Sequence, residues 1–345
     1  MATEDPVPSV EDGAAVASAG IANPEPTRTT TSGFDIVTTY SSILASDGDI
    51  TMPMAAIEAL VALLAATPSS TAMETVETVQ AQARHLLAAF PNPYPLKAGT
   101  DLFQQMLQRS LRGQAGAAPR AHHPHPHHHN TMVPGFDETR RRLVTSNRQF
   151  VAEAKRARDT LAARGARLVR DGATVLTTGG SRAVTRLLLR AAAAPLRRAF
   201  AVLYVLDGHP SSAAAAQALE DAGLRVTRVG AAGAAHAMRH GVGAGACAVD
   251  LVLVGTEVLC GNGGLLARRG TYQLALLAKA LGVRFVAAAE THKIVRGFPL
   301  VSLEQFGVTD EGVDYTPPDL IEWVITEDGI KKPVKMFDYI LELFM

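Results

Sequence analysis

The sequence predicts an α/β protein in which an N-terminal helical domain precedes a Rossmann-like domain built on a parallel sheet. Three observations carry that expectation. Apolar residues recur at helical spacing from Phe34 to about residue 112. From Asp171 onward, short β-branched runs alternate with helical segments, which is the pattern of strands covered on both faces by crossover helices. Several of those runs end in glycines and charged residues, at the edge where open α/β sheets bind ligands.

The chain has 345 residues, 47% of them hydrophobic, which is enough for two domains because single cores stop growing near ~250–300 residues. Basic and acidic side chains balance at 33 each, so no overall field recruits nucleic acid or an anionic membrane. Cys247 and Cys260 are too few for a disulfide framework or a zinc cluster, and point to a reducing compartment. Residues 1–33 read as a disordered leader without a targeting pattern. The longest apolar stretch, "AAIEALVALLAA", is too short to cross a bilayer. A cytosolic protein with no membrane or direct nucleic-acid partner is the expectation.

Within the helical domain, 34–170, three apolar stripes follow one another. Phe34, Val37, Tyr40 and Leu44 form the first; Met54, Ile57, Leu60, Val61 and Leu64 the second; Met73, Val76, Val79, Leu86, Leu87 and Phe90 the third. "SDGD", "TPSS" and "PNPYP" separate the helices. Residues 113–135 form a His/Pro/Gly/Ala insertion without periodicity, in which proline-interrupted histidines offer no fixed metal geometry. A long helix from Phe136 to Arg170 carries Arg140, Arg141, Arg142, Arg148, Lys155, Arg156, Arg158, Arg164, Arg167 and Arg170. These read as a solvated basic face.

The second domain, 171–345, contains six strand-like runs: "ATVLTT", "FAVLYVL", "LRVTRV", "DLVLVG", "VRFVAAA" and "IEWVIT". After the first, Thr178, Gly179, Gly180, Ser181 and Arg182 enter a helix whose N-terminus suits an anion. After the second, "LDGHPSSAAAAQAL" offers Asp207 and His209, with Pro210 opening a helix that Ser211 or Ser212 could cap. Beyond the fourth come Glu257, Asn262, Gly263, Gly264, Arg268 and Thr271, a carboxylate, an amide, a glycine pair and a cation within fifteen residues. "AAAETHKIVRGFPL" adds Glu290, Thr291, Lys293 and Arg296.

Residues 254–300, "VGTEVLCGNGGLLARRGTYQLALLAKALGVRFVAAAETHKIVRGFPL", with "VLTTGGSRAVTRLL" before and "VDYTPPDLIEWVITEDGI" after, closely resemble the alpha/beta/delta regulatory-subunit family of translation initiation factor 2B. "MAAIEAL" and "GTDLFQQML" extend the resemblance into the helical domain; the short leader and "ETHKIVRGFPL" point to its alpha branch. The family shares its fold with isomerases of methylthioribose 1-phosphate and ribose 1,5-bisphosphate, which use a cysteine and an aspartate. Matching their motifs puts Gly179 where they have the cysteine, Glu257 where they have the aspartate, His209 where they have an arginine, and Ala267, followed by Arg268, where they have an asparagine. Cys260 comes from a different strand and does not replace the missing thiol.

The resemblance therefore implies a non-catalytic regulatory subunit that needs no cofactor. It implies a homodimer joining the beta, gamma, delta and epsilon subunits and sensing initiation factor 2 through its phosphorylated alpha subunit. A retained pocket would bind a sugar phosphate or nucleoside monophosphate, with phosphate near Gly179–Arg182 and Arg268 and hydroxyls near Asp207, Glu257 or Lys293. An active sugar-phosphate isomerase is the alternative.

Overall fold

The computed structural model describes residues 33–67, 71–115, 136–243, 247–297, 312–338 and 341. The leader through residue 32, the insertion from 116 to 135 and the end of "RGFPL" lie outside the described residues.

Five helices come first: α1 (Ile36–Ser46), α2 (Met52–Ala66), α3 (Ala72–Ala88), α4 (Tyr94–Ala115) and α5 (Phe136–Gly165). Asp35 caps α1, accepting from the Val37 amide at 2.9 Å, and Thr71 caps α3, accepting from Glu74 at 3.1 Å. The α2 segment "MPMAAIEALVALLAA" is apolar nearly all round and is wrapped accordingly, with nine of its fifteen residues buried. Val79, Leu86, Phe103 and Tyr40 close the core around it. Met73 departs from the expected stripe and is 66% exposed. The buried line of α3 runs Thr75, Val79, Ala83, Leu86, and two residues along a helix is the opposite face.

The remaining elements alternate. β1 (Thr174–Thr178), α6 (Arg182–Ala192), β2 (Ala201–Leu206), α7 (Pro210–Asp221), β3 (Arg225–Gly230), α8 (Ala234–His240) and β4 (Leu251–Gly255) come in turn. Then follow β5 (Val258–Cys260), β6 (Leu265–Arg268), α9 (Thr271–Leu281), β7 (Arg284–Ala288), β8 (Ile294–Val295), β9 (Val313–Thr316), β10 (Trp323–Thr326) and β11 (Gly329–Lys331). All six runs read from the sequence are strands of one sheet, ordered β11-β10-β7-β4-β1-β2-β3. Its members are parallel except β11, which returns antiparallel on β10. Both faces of β1 are buried, under two separate apolar clusters. Chain direction across the sheet reverses between β1 and β4, and that switch point opens a crevice at their carboxyl ends.

A second sheet, ordered β8-β5-β6-β9, was not visible as strands in the sequence. Its pieces are two to four residues long, too short to display a period. Val258, Cys260, Leu266 and Val295 pack with Tyr94 and Ala98 of α4, so this sheet holds the helices against the crevice. Among the described residues no helix is long and apolar enough to cross a membrane.

Candidate ligand cavity at the sheet switch point

A cavity of about 350 Å³ lies at the carboxyl ends of β1 and β4. Thr178, Gly179, Gly180, Ser181, Arg182, His209, Glu257, Arg268, Thr271 and Lys293, ten of the fourteen positions read from the sequence, line it. The helical region contributes walls that sequence reading missed: Thr51, Met52 and Pro53 at the start of α2, and Arg158 of α5.

One end suits an anion on physical grounds. Ser181 caps α6 with its hydroxyl accepting from Val184 at 3.4 Å, and the first turn lines the cavity with Ser181, Arg182 and Ala183. The amides of that turn have no partner within the helix, and its dipole favours negative charge. Gly180 reaches the cap with φ +64°, and a Cβ there would stand 2.5 Å from the Ser211 hydroxyl oxygen. At the end of β4 a Cβ on Gly255 would meet the Ser181 hydroxyl at 2.0 Å, so β4 abuts the cap only because it ends in glycine.

Arg268 faces the same end. Its Nε donates to Asp207 at 3.3 Å, which leaves its terminal amino groups without a partner among the described residues. Asp207 does not line the cavity, contrary to its reading as a hydroxyl contact. It also accepts from the Ser212 hydroxyl at 2.6 Å and the His209 amide at 3.0 Å, so it holds the guanidinium in place. Burial alone would raise its carboxyl pKa; bonds from Ser212, His209 and Arg268 outweigh burial and keep it low. The cap of α7 is His209 itself, whose Nδ1 accepts from the Ser211 amide at 3.2 Å. Neither serine performs that role. With Nδ1 as acceptor, the proton of the neutral ring belongs on Nε2.

Along one wall of the cavity lies a buried charge network of Arg158, Glu290 and Lys293. Glu290 is 1% exposed and accepts from Arg158 Nε at 3.0 Å, while Lys293 Nζ stands 2.8 Å from its other oxygen. Arg158, read as part of a solvated basic face, has a side chain only 4% exposed and also grips Asp49. Arg140, Arg142 and Arg148 have side chains outside the described set. Lys293 Nζ donates further to the Thr256 carbonyl at 3.1 Å. Burial would drive the Glu290 carboxyl up, but Lys293 and Arg158 hold it well below the usual range. Neighbouring His292 is pushed down to about 4 by burial, so it is neutral near pH 7; its Nε2 meets the Thr51 hydroxyl at 2.9 Å. Arg182 lines the cavity, but its guanidinium already ties down the carbonyls of Gly48 and Ile50.

Glu257, also in the lining, accepts from the Asn92 side-chain amide at 3.0 Å. Gly179, which also lines the cavity, brings no side chain that could handle a proton. Cys260 is fully buried in the second sheet, with its thiol pushed up to about 12 by burial, and it lines no part of the cavity. Asn262, Gly263 and Gly264 also lie elsewhere. They form the β5–β6 turn, where Asn262 donates to the Tyr315 hydroxyl at 2.7 Å and accepts from Gly264 at 3.0 Å. Gly263 has φ +85° and abuts the Pro333 carbonyl. "NGG" between two apolar runs is a hairpin signal, and that reading would have removed the three from the site. Among the described residues no cluster of three metal-ligating side chains occurs.

Residues 45–311 match the model of the initiation factor 2 subunit family. The translation initiation factor eIF2B subunit alpha of Dictyostelium discoideum is 30% identical over 239 residues, covering 61% of this chain and 71% of that protein. The ribose 1,5-bisphosphate isomerase of Archaeoglobus fulgidus is 27% identical over 226 residues, covering 60% and 69%. Among solved structures, the tetrameric eIF2B-beta2-delta2 complex of C. thermophilum superposes with a TM-score of 0.70 at 19% identity, covering 89% of this chain and 94% of that one. That last likeness is one of fold.

Proposed function

The chain belongs to the initiation factor 2 subunit family, and from that premise we propose that it is a non-catalytic regulatory subunit of the guanine-nucleotide exchange factor for initiation factor 2. It acts in the cytosol as a homodimer that joins beta, gamma, delta and epsilon subunits into the exchange complex. Nucleotide exchange is the work of its partners. Its own tasks are assembly, sensing of the phosphorylated alpha subunit of initiation factor 2 by the helical region, and binding of a sugar phosphate or nucleoside monophosphate.

A single observation carries the ligand-binding, non-catalytic reading. The cavity is lined by the α6 N-terminus, Arg268 and Lys293, which suit a phosphorylated sugar, and by Gly179, the position at which the resemblance to the isomerases would put a thiol. Isomerisation needs two proton-handling groups on either side of the carbon skeleton, and of the pair that the isomerase resemblance implies only the carboxylate, Glu257, is present. Retention of that carboxylate, fixed by Asn92, is what favours the alternative of a working isomerase. A panel of sugar phosphates and nucleoside monophosphates tests the binding claim by thermal shift. A ligand of the folded state at a hundredfold excess over its dissociation constant stabilises it by about 2.7 kcal/mol. At least one compound is expected to raise the unfolding midpoint accordingly; a panel with no shift contradicts the proposal.

A further inference from the structure

A groove of about 900 Å³ runs along α6 between α5 and α7 and continues the cavity, sharing Arg158, Gly180, Arg182 and Ser211 with it. Its floor and walls are small and apolar: Ala162 and Ala163 of α5, Leu189 of α6, Ala214 and Ala215 of α7. The alanine run "AAAAQAL", which does not line the cavity, is what leaves this space open. Cations rim it. Arg186 pairs with Asp159, and Arg190 has no ion-pair partner among the described residues.

Resting on the cavity reading above, we propose that the groove is the second half of the ligand site, and that it selects a phosphate ester whose sugar carries a flat apolar group. A phosphate at the α6 N-terminus places the rest of its molecule beside Gly180 and Ser211, where the groove begins. A bare sugar phosphate fills the 350 Å³ cavity and leaves the groove empty. A nucleotide-like ligand covers the alanines with its aromatic ring and meets the guanidinium planes of Arg186 and Arg190, which stack on aromatic faces. Two features single out this occupant: the continuity of the two spaces, and an arginine rim around an apolar floor.

Calorimetric titration of the full chain with adenosine 5′-monophosphate and with ribose 5-phosphate tests the inference. The nucleotide is expected to bind more tightly by about tenfold, which corresponds to about 1.4 kcal/mol. Ala214→Trp, at an exposed groove position, is expected to remove that advantage while leaving the ribose 5-phosphate affinity unchanged. Arg190→Ser is expected to reduce the advantage without filling the groove. Equal affinities in the parent chain overturn the inference, as does equal weakening of both ligands by Ala214→Trp. A change in oligomeric mass with nucleotide affinity intact also overturns it, because the groove is then a protein interface. If neither compound binds, the cavity reading itself falls and the groove proposal falls with it.

Discussion

Glu290→Gln is expected to lower stability at pH 7 by about 3–5 kcal/mol, the range for breaking a buried ion pair by removing one partner. The carboxylate is 1% exposed and stands between Arg158 and Lys293. Without its charge, two cations with side chains 4% and 13% exposed lose the carboxylate that both of them pair with. The pH dependence carries a definite sign. A depressed folded-state pKa contributes stability above the ordinary glutamate value of 4.5, and that contribution is lost as pH falls through the lower folded value. The gap between parent and variant is therefore full at pH 7 and shrinks below pH 4.5. Urea unfolding midpoints at several pH values measure it; a loss below about 1 kcal/mol at pH 7, the scale of an exposed pair, contradicts the network's role.

Gly180→Val is expected to weaken phosphate-ester binding by at least about tenfold, or 1.4 kcal/mol. Gly180 has φ +64°, and a Cβ would stand 2.5 Å from the Ser211 hydroxyl oxygen and 2.7 Å from its carbonyl carbon. A β-branched residue at positive φ is strained whatever the space, so the turn before α6 must move and carry its first amides with it. Titration with ribose 5-phosphate, alongside a check that unfolding stays cooperative, reads the effect. Unchanged affinity in a folded variant places the phosphate elsewhere.

Much of this site was legible because strand ends in a parallel sheet converge by topology. "ATVLTT" followed by "GGSR" and "DLVLVG" followed by "TE" sit side by side once β1 and β4 pair, and no tertiary detail is needed to bring them together. Arg158 was not legible. On a helix with many arginines nothing local marks the one that a distant glutamate draws inward. Asn92 and Thr51 were hidden for the same reason, since their partners, Glu257 and His292, are 165 and 241 residues away. Asp207 was legible as a functional position but not in its role; only the geometry separates a ligand contact from a side chain that orients Arg268. The "GNGG" turn shows the opposite failure, in which conformational glycines imitate a phosphate loop.

On the function proposed above, this cavity holds a phosphorylated sugar and does not rearrange it. Phosphorus NMR of ribose 1,5-bisphosphate mixed with the purified chain tests both halves at once. The expected result is resonances that shift or broaden on addition of protein and still belong to the starting compound after prolonged incubation. Growth of the resonances of a ketose bisphosphate would contradict it.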